Sequence, residues 1–286
     1  WVFHLHINWN RLLSGLFFIN SYHYTTFFPA ELNGPLWSIG LEVSCYVLLP
    51  ILLFTVFKTS RKFIPAALFM IVWIGLLQFI NPWIIRTFMT DDELKGWQYG
   101  LTGGAKQWLP YWNVDTFFTQ FLLGSLAALC IAWFRATNRK SGYFFDLLSI
   151  ASLGAAIYVV AKRLDPGTPD NFTHQPYVAP IYAFFMAVAL ASASNGLLLW
   201  KVLDNRFFKY LAKISFSIYL WHMVIITYIE RKVATDYVFY GIHSVSRWLQ
   251  FSGIVIVIAF LIASISWKFF ESPILNYARK RTSTRS

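Results

Sequence analysis

A chain of 286 residues with 57% hydrophobic, 20% aromatic and only 13% charged side chains, and a mean hydropathy of +0.51, lies far outside the composition of soluble domains. Its formal charge of +11 is divided among the connections between apolar segments, which argues against a nucleic-acid face and places the chain in a bilayer. Only two cysteines are present, Cys45 and Cys130, both within apolar stretches, so neither a disulfide framework nor a metal site is expected and both read as packing residues.

Residues 1–20 carry His4, His6, Asn8, Asn10 and Arg11 among apolar neighbours, and form either a polar-lined span or a helix lying at the interface. A membrane helix needs about 20 mostly apolar residues. Such stretches follow near 37–57, 64–83, 113–134, 145–161, 177–200, 214–230 and 248–270. The expected fold is therefore all-α, a polytopic transmembrane bundle of about eight spans. It is read as one membrane domain over residues 1–286, because the longest connection, 84–112, is too short for a soluble domain. The chain starts at Trp1 rather than Met, which reads as an N-terminal truncation; no cleavable signal, internal repeat or low-complexity segment is visible.

The charges orient these spans. The segments 58–62, 135–140, 201–213 and the tail from Arg279 hold fourteen Lys/Arg against one Asp, whereas 21–36, 84–112, 162–176 and 230–247 hold eight basic and eight acidic residues. By the positive-inside rule the first group is cytoplasmic, and the C-terminus with it. Glu42 then lies about 8 Å below the outer boundary, counting from Trp37 at about 1.5 Å per residue.

Weak motifs add little. The stretch "GGAK" (103–106) lacks the ending and preceding strand of a phosphate loop. "NFT" (171–173) has glycosylation spacing on an outer loop, relevant only in a secretory pathway, and His174 and His243 read as solvated loop residues.

Three polar features within the apolar spans point to function. Ser38, Glu42 and Tyr46 follow an i, i+4, i+8 row with Cys45 beside them, a narrow polar stripe that should face the bundle interior. Glu42 is either a protonated strut between helices or an acid lining a substrate pocket. In 214–230, Ser215, Tyr219 and His222 fall within about 60° of one another on a helical wheel. His222 is either a satisfied core residue or a group that orients substrate or passes a proton. Both stripes are expected to line one cavity. Glu271 stands at the cytoplasmic boundary before the helix-ending Ser272–Pro273, and pairing with Lys268 at i−3 is its expected role.

These segments also carry a family resemblance. "LWSIGLEVSCYVLLP" (36–50) is similar to the "LWSLSVEEQFYLLWP" signature of the acyltransferase-3 family, integral membrane O-acyltransferases of envelope sugars. "ISFSIYLWHM" (214–223) resembles that family's "ISYSLYLWH", "FFESPI" (269–274) its "iErP" ending, and "FLLGSLAAL" (121–129) its weaker "LLLGALLA". The matching positions are Trp37, Ser38, Glu42 and Tyr46, then Ser215, Tyr219, Trp221 and His222, then Glu271 and Pro273. Val43, Ser44 and Cys45 depart from the signature.

The resemblance implies a ten-span plan of which this chain holds the third to tenth spans. It also implies a base histidine in the first span and a cytoplasmic Arg-x-x-Arg, neither of which is among these residues. The catalytic base is thus left unassigned, and Trp37, Ser38, Glu42, Tyr46, Ser215, Tyr219 and His222 are the substrate-pocket candidates. Trp221, Glu271 and Pro273 form a structural or interface motif. The implied reaction moves an acyl group, acetyl foremost, from a thioester donor such as acetyl-CoA or another acyl-CoA to a hydroxyl of an envelope carbohydrate, without a metal. The implied partners are the lipid bilayer, the acyl donor and the carbohydrate acceptor, and the implied location is the bacterial cytoplasmic (inner) membrane. On this reading the 286-residue chain alone is not competent. The rival readings are a transporter or flippase of a lipid-linked sugar or polymer, and a noncatalytic membrane subunit.

Overall fold

The computed structural model describes residues 9–23, 25–27, 29, 33–59, 62–88, 112–137, 141–162, 179–233 and 244–283. Residues 1–8 with His4, His6 and Asn8, the "GGAK" and "NFT" stretches, and His174 and His243 lie outside the described residues.

The described chain is helical: α1 (Trp9–Leu16), α2 (Trp37–Thr59), α3 (Phe63–Phe88), α4 (Val114–Ala136), α5 (Tyr143–Lys162), α6 (Ala179–Ala193), α7 (Leu199–Leu203), α8 (Arg206–Lys232), α9 (Val245–Ser266) and α10 (Ser272–Ser283). A π-helical turn, Trp267–Glu271, joins the last two. The stretches Gly34–Lys58, Phe63–Trp83, Val114–Ala136, Tyr143–Lys162, Arg206–Lys232 and Val245–Lys280 are long and apolar enough to cross a bilayer, and Pro180–Ala193 is a shorter apolar helix. The chain is an integral membrane protein. Phe79 is 80% exposed and Phe54 69%, surface that is costly in water and matched in lipid.

The helices start where local chemistry dictates. Asn113, Asn205 and Ser244 stand in extended backbone and accept the N–H of Thr116, Phe208 and Arg247, capping α4, α8 and α9.

The chain falls into two compact units: residues 1–29 with 37–203, and residues 30–36 with 204–286. In the first, α5 packs on α6, α6 on α4, and α4 on both α3 and α2. Cys45, Leu52 and Val56 of α2, Ala66 and Leu77 of α3, and Phe118 and Leu122 of α4 form its core. Between membrane helices hydrogen bonds supplement packing. Ser149 Oγ donates to Ala189 O at 2.9 Å across α5–α6, and Gln78 Nε2 to Thr119 Oγ1 at 3.4 Å across α3–α4. In the second unit Ile225 and Ile229 of α8 pack on Phe251, Val255 and Ala259 of α9.

Four expectations are corrected. Within residues 1–20 the described helix ends at Leu16, because Phe18 takes φ 59° and the N–H groups of Phe18 and Ile19 return to Gly15 O and Ser14 O, a Schellman stop. The 177–200 stretch is not one helix: α6 ends at Ala193 and the chain turns before α7. The cause is Asp146, buried on α5, whose carboxylate accepts the N–H of Leu197 (2.9 Å), Leu198 (3.2 Å) and Leu199 (3.0 Å). Gly196 leaves room for it, since a Cβ there would collide with that carboxylate unless it shifted. The 214–230 span begins earlier, at Arg206. Finally, Ser272–Pro273 does not end the last helix. Proline lacks an N–H and its ring crowds the carbonyl four residues back, here Phe269. The π turn accommodates this by widening the helix, with the Ser272 N–H reaching Trp267 O, and α10 continues to Ser283.

Candidate functional site

The first polar stripe lies in the first unit. Ser38 is 8% exposed and its Oγ donates to Glu42 Oε1 at 3.3 Å, one helical turn on, as i, i+4 spacing requires. Glu42 is half-buried, and among the described residues Ser38 supplies its one hydrogen bond. Cys45 is fully buried beside it. Tyr46, by contrast, is 58% exposed, its ring edge-on to Phe121.

Trp37 anchors the start of this stripe. Its ring stacks on Phe27 (centroids 5.4 Å) and meets Trp112 (4.4 Å) and Phe117 (5.5 Å). Asn20 holds the same place from the N-terminal side, donating to Phe27 O and Trp37 O, and a Cβ on Gly40 would collide with its amide. Ser44, one of the departures from the signature, donates to Gly40 O and meets Tyr22 Oη at 2.9 Å.

The second stripe lies in the second unit. His222 is half-buried, and its Nδ1 lies 2.7 Å from Tyr219 O. A carbonyl only accepts, so Nδ1 carries the proton and a neutral ring keeps its lone pair on Nε2. Tyr219 Oη donates to Pro35 O at 2.6 Å, and Asn33 Nδ2 to Leu220 O at 2.8 Å, so α8 grips the turn at 33–35 just ahead of the first signature. Ser215 is exposed and bonds back to Ala212 O of its own helix, and Trp221 is 40% exposed.

Glu271 departs from its expected partner. It accepts a hydrogen bond from Ser217, fully buried on α8, while the Lys268 ammonium lies over the Phe269 ring at 5.5 Å. The expected Lys268 pair assumes α-helical i−3 spacing, and the π turn changes the direction in which Glu271 projects. Pro273, exposed at the start of α10, belongs to the cause of that turn.

Sequence reasoning missed Ser217 and Asp146. Ser217 is two residues from Ser215 and hence on the opposite face of α8, away from the stripe with Tyr219 and His222. The signal for it was an acid at the membrane edge in need of a donor. Asp146 had a signal too, since it stands in the first turn of an apolar helix without a basic neighbour. Among the described residues no group of three or more His, Cys, Asp or Glu gathers that could hold a metal.

Glu42 thus belongs to one unit and Tyr219, His222, Ser217 and Glu271 to the other.

Comparison with known proteins bears on all these segments. The acyltransferase-3 family model, described as an acyltransferase domain, matches residues 1–267. The chain is 23% identical to "Putative O-acetyltransferase SAR0937" of Staphylococcus aureus strain MRSA252 over 94% of its length and 40% of that protein's. To "O-acetyltransferase OatA" of S. aureus strain NCTC 8325 it is 24% identical over 86% of its length and 37% of that protein's. The chain spans about 40% of the length of the relatives it matches. No solved structure matches it. The chain belongs to the acyltransferase-3 family, whose model reaches into both units, covers the first two signature segments and ends just ahead of the third.

Proposed function

We propose that the protein bearing this chain is a membrane O-acyltransferase that moves an acetyl group from acetyl-CoA to a hydroxyl of an envelope carbohydrate. The match of the acyltransferase-3 family over residues 1–267 carries this reading, and the O-acetyltransferase names of two relatives support its finer part. In the transfer the acceptor oxygen attacks the thioester carbonyl carbon, the carbon–sulfur bond breaks, and the proton lost by the hydroxyl ends on the leaving thiol.

In this reading both units act as one membrane domain with the C-terminus cytoplasmic. That disposition meets coenzyme A from the basic side and the carbohydrate from the other. Glu42, held by Ser38 and otherwise uncommitted among the described residues, accepts a hydrogen bond from an acceptor hydroxyl. His222, with Nδ1 committed to Tyr219 O, offers Nε2 as a second acceptor. Trp37 and Tyr46 flank the stripe. The base that deprotonates the hydroxyl is left unassigned.

The test is acetate released by mild base from purified envelope polysaccharide of cells with and without the full-length protein, at matched envelope yield. Loss of acetate on deletion and its return on complementation is the expected result. Unchanged acetate with defective export of the polysaccharide would overturn the reading in favour of a transporter.

A further inference from the structure

The hydrogen bonds of the second unit link the middle and last signature segments and reach the turn just ahead of the first. α8 carries the middle signature. Toward one end of the chain, Tyr219 Oη donates to Pro35 O and Leu220 O accepts from Asn33, so two consecutive residues of α8 hold the turn whose next residues are Leu36–Trp37–Ser38. Toward the other, Ser217 donates to Glu271 in the last signature.

The geometry of the last link is built rather than incidental. Ser217 is fully buried. Glu271 is the last residue of the π turn that precedes Pro273, so the proline signature and the acid signature are one device: the ring forces the wider turn, and the turn aims the carboxylate at α8. A carboxylate at a lipid boundary is costly unless a donor meets it, and a buried hydroxyl is costly without an acceptor. Each satisfies the other. Lys268, the basic neighbour at i−3, is directed to the Phe269 ring instead.

We infer that Ser217 and Glu271 are positioning residues of the acyltransferase: they lock the last span onto α8, which fixes the backbone carrying Tyr219 and His222, and they touch neither donor nor acceptor. The inference rests on acyl transfer as the activity. Its consequence is that the Glu271 charge is dispensable while its ability to accept a hydrogen bond is not. A misplacement of about 1 Å at a reacting group costs up to about 100-fold in rate, so loss of the lock should appear in kcat.

The experiment uses the full-length protein, purified in detergent, with acetyl-CoA and a soluble oligosaccharide acceptor. Glu271→Gln keeps the accepting oxygen and should stay within about threefold of the parent kcat, whereas Glu271→Leu should lose about tenfold with both KM values unchanged, the pattern of a group that acts after binding. Ser217→Ala and the double Ser217→Ala/Glu271→Leu should match Glu271→Leu alone, because all three remove the same bond and such losses do not add. A dead Glu271→Gln enzyme would assign the charge to chemistry and overturn the inference. So would an unaffected Glu271→Leu, a raised KM, or a double variant losing the product of the two single losses. Should Ser217→Ala fail to fold, the Gln and Leu variants at 271 decide between the same outcomes. If the parent itself transfers no acetyl group, the proposed function fails instead. The melting-temperature cycle of the same four proteins then tests the lock, and additive shifts would overturn it.

Discussion

The two units treat their signature acids differently. Glu42 in the first is met by a serine of its own helix, four residues away, whereas Glu271 in the second is met by a serine 54 residues distant on another helix. An intrahelical bond orients a carboxylate without committing it to the architecture, and leaves it able to accept a ligand. An interhelical bond spends the carboxylate on holding two spans together. Asp146 extends the series: four short contacts to three consecutive backbone N–H groups occupy both of its oxygens. Three acids at membrane helices thus run from available, through locked, to saturated, and the proposed substrate contact rests on the first.

Breaking the saturated member should have the largest effect. Asp146→Ala leaves the N–H groups of Leu197, Leu198 and Leu199 unpaired at the turn after α6, a loss of the kind that lowers steady-state abundance several-fold. Membrane protein measured by immunoblot at equal transcript checks this. Normal abundance would show that α6 and α7 keep their turn without the carboxylate.

Next comes the available member. Glu42→Gln in the full-length protein keeps size and one accepting oxygen but deletes the charge, and a hydrogen bond to a charged group is worth about 1.5–3 kcal/mol, or roughly 10- to 150-fold in transfer. Acetate released from the polysaccharide should fall by that order while protein level holds. Normal acetylation would return Glu42 to the role of a strut, erasing its contrast with Glu271. Glu42→Ala is the poorer probe, since it also removes the whole carboxylate that accepts from Ser38.

A smaller effect is expected at the close approach ahead of the first stripe. Gly40→Ala drives a methyl group against the Asn20 amide and to 3.0 Å from Phe18 O, overpacking that costs about 1–3 kcal/mol. A fall in melting temperature measures it, and an unchanged value would mean that Asn20 can yield. Smallest of all, Tyr46→Phe should leave transfer within about twofold, because Tyr46 is exposed and its recorded contact is through the ring, to Phe121. A large loss there would add Tyr46 to the acceptor contacts and lengthen the available stripe.

Much of this was legible in advance. The apolar stretches placed α2, α3, α4, α5 and α9 within a few residues, because a lipid solvent demands long apolar helices and little else satisfies it. The Ser38–Glu42 pair was legible for the same reason that any i, i+4 pair is: helix geometry alone brings the two together. The proline at 273 was read as a stop, which is its usual meaning in an isolated helix, and misled because widening into a π turn was cheaper than ending a helix anchored on α8.

The sequence by itself therefore determined which stretches are long and apolar enough to cross a bilayer, and the polar row of α2, both consequences of composition or of spacing within one helix. Only the tertiary structure decided the partners separated along the chain: Ser217 with Glu271 across 54 residues, Tyr219 with Pro35 across 184, and Asp146 with Leu197 across 51. Helical periodicity says which face a side chain occupies and nothing about which helix that face meets. In a chain whose helices are apolar nearly all round, packing and a few buried hydrogen bonds make that choice.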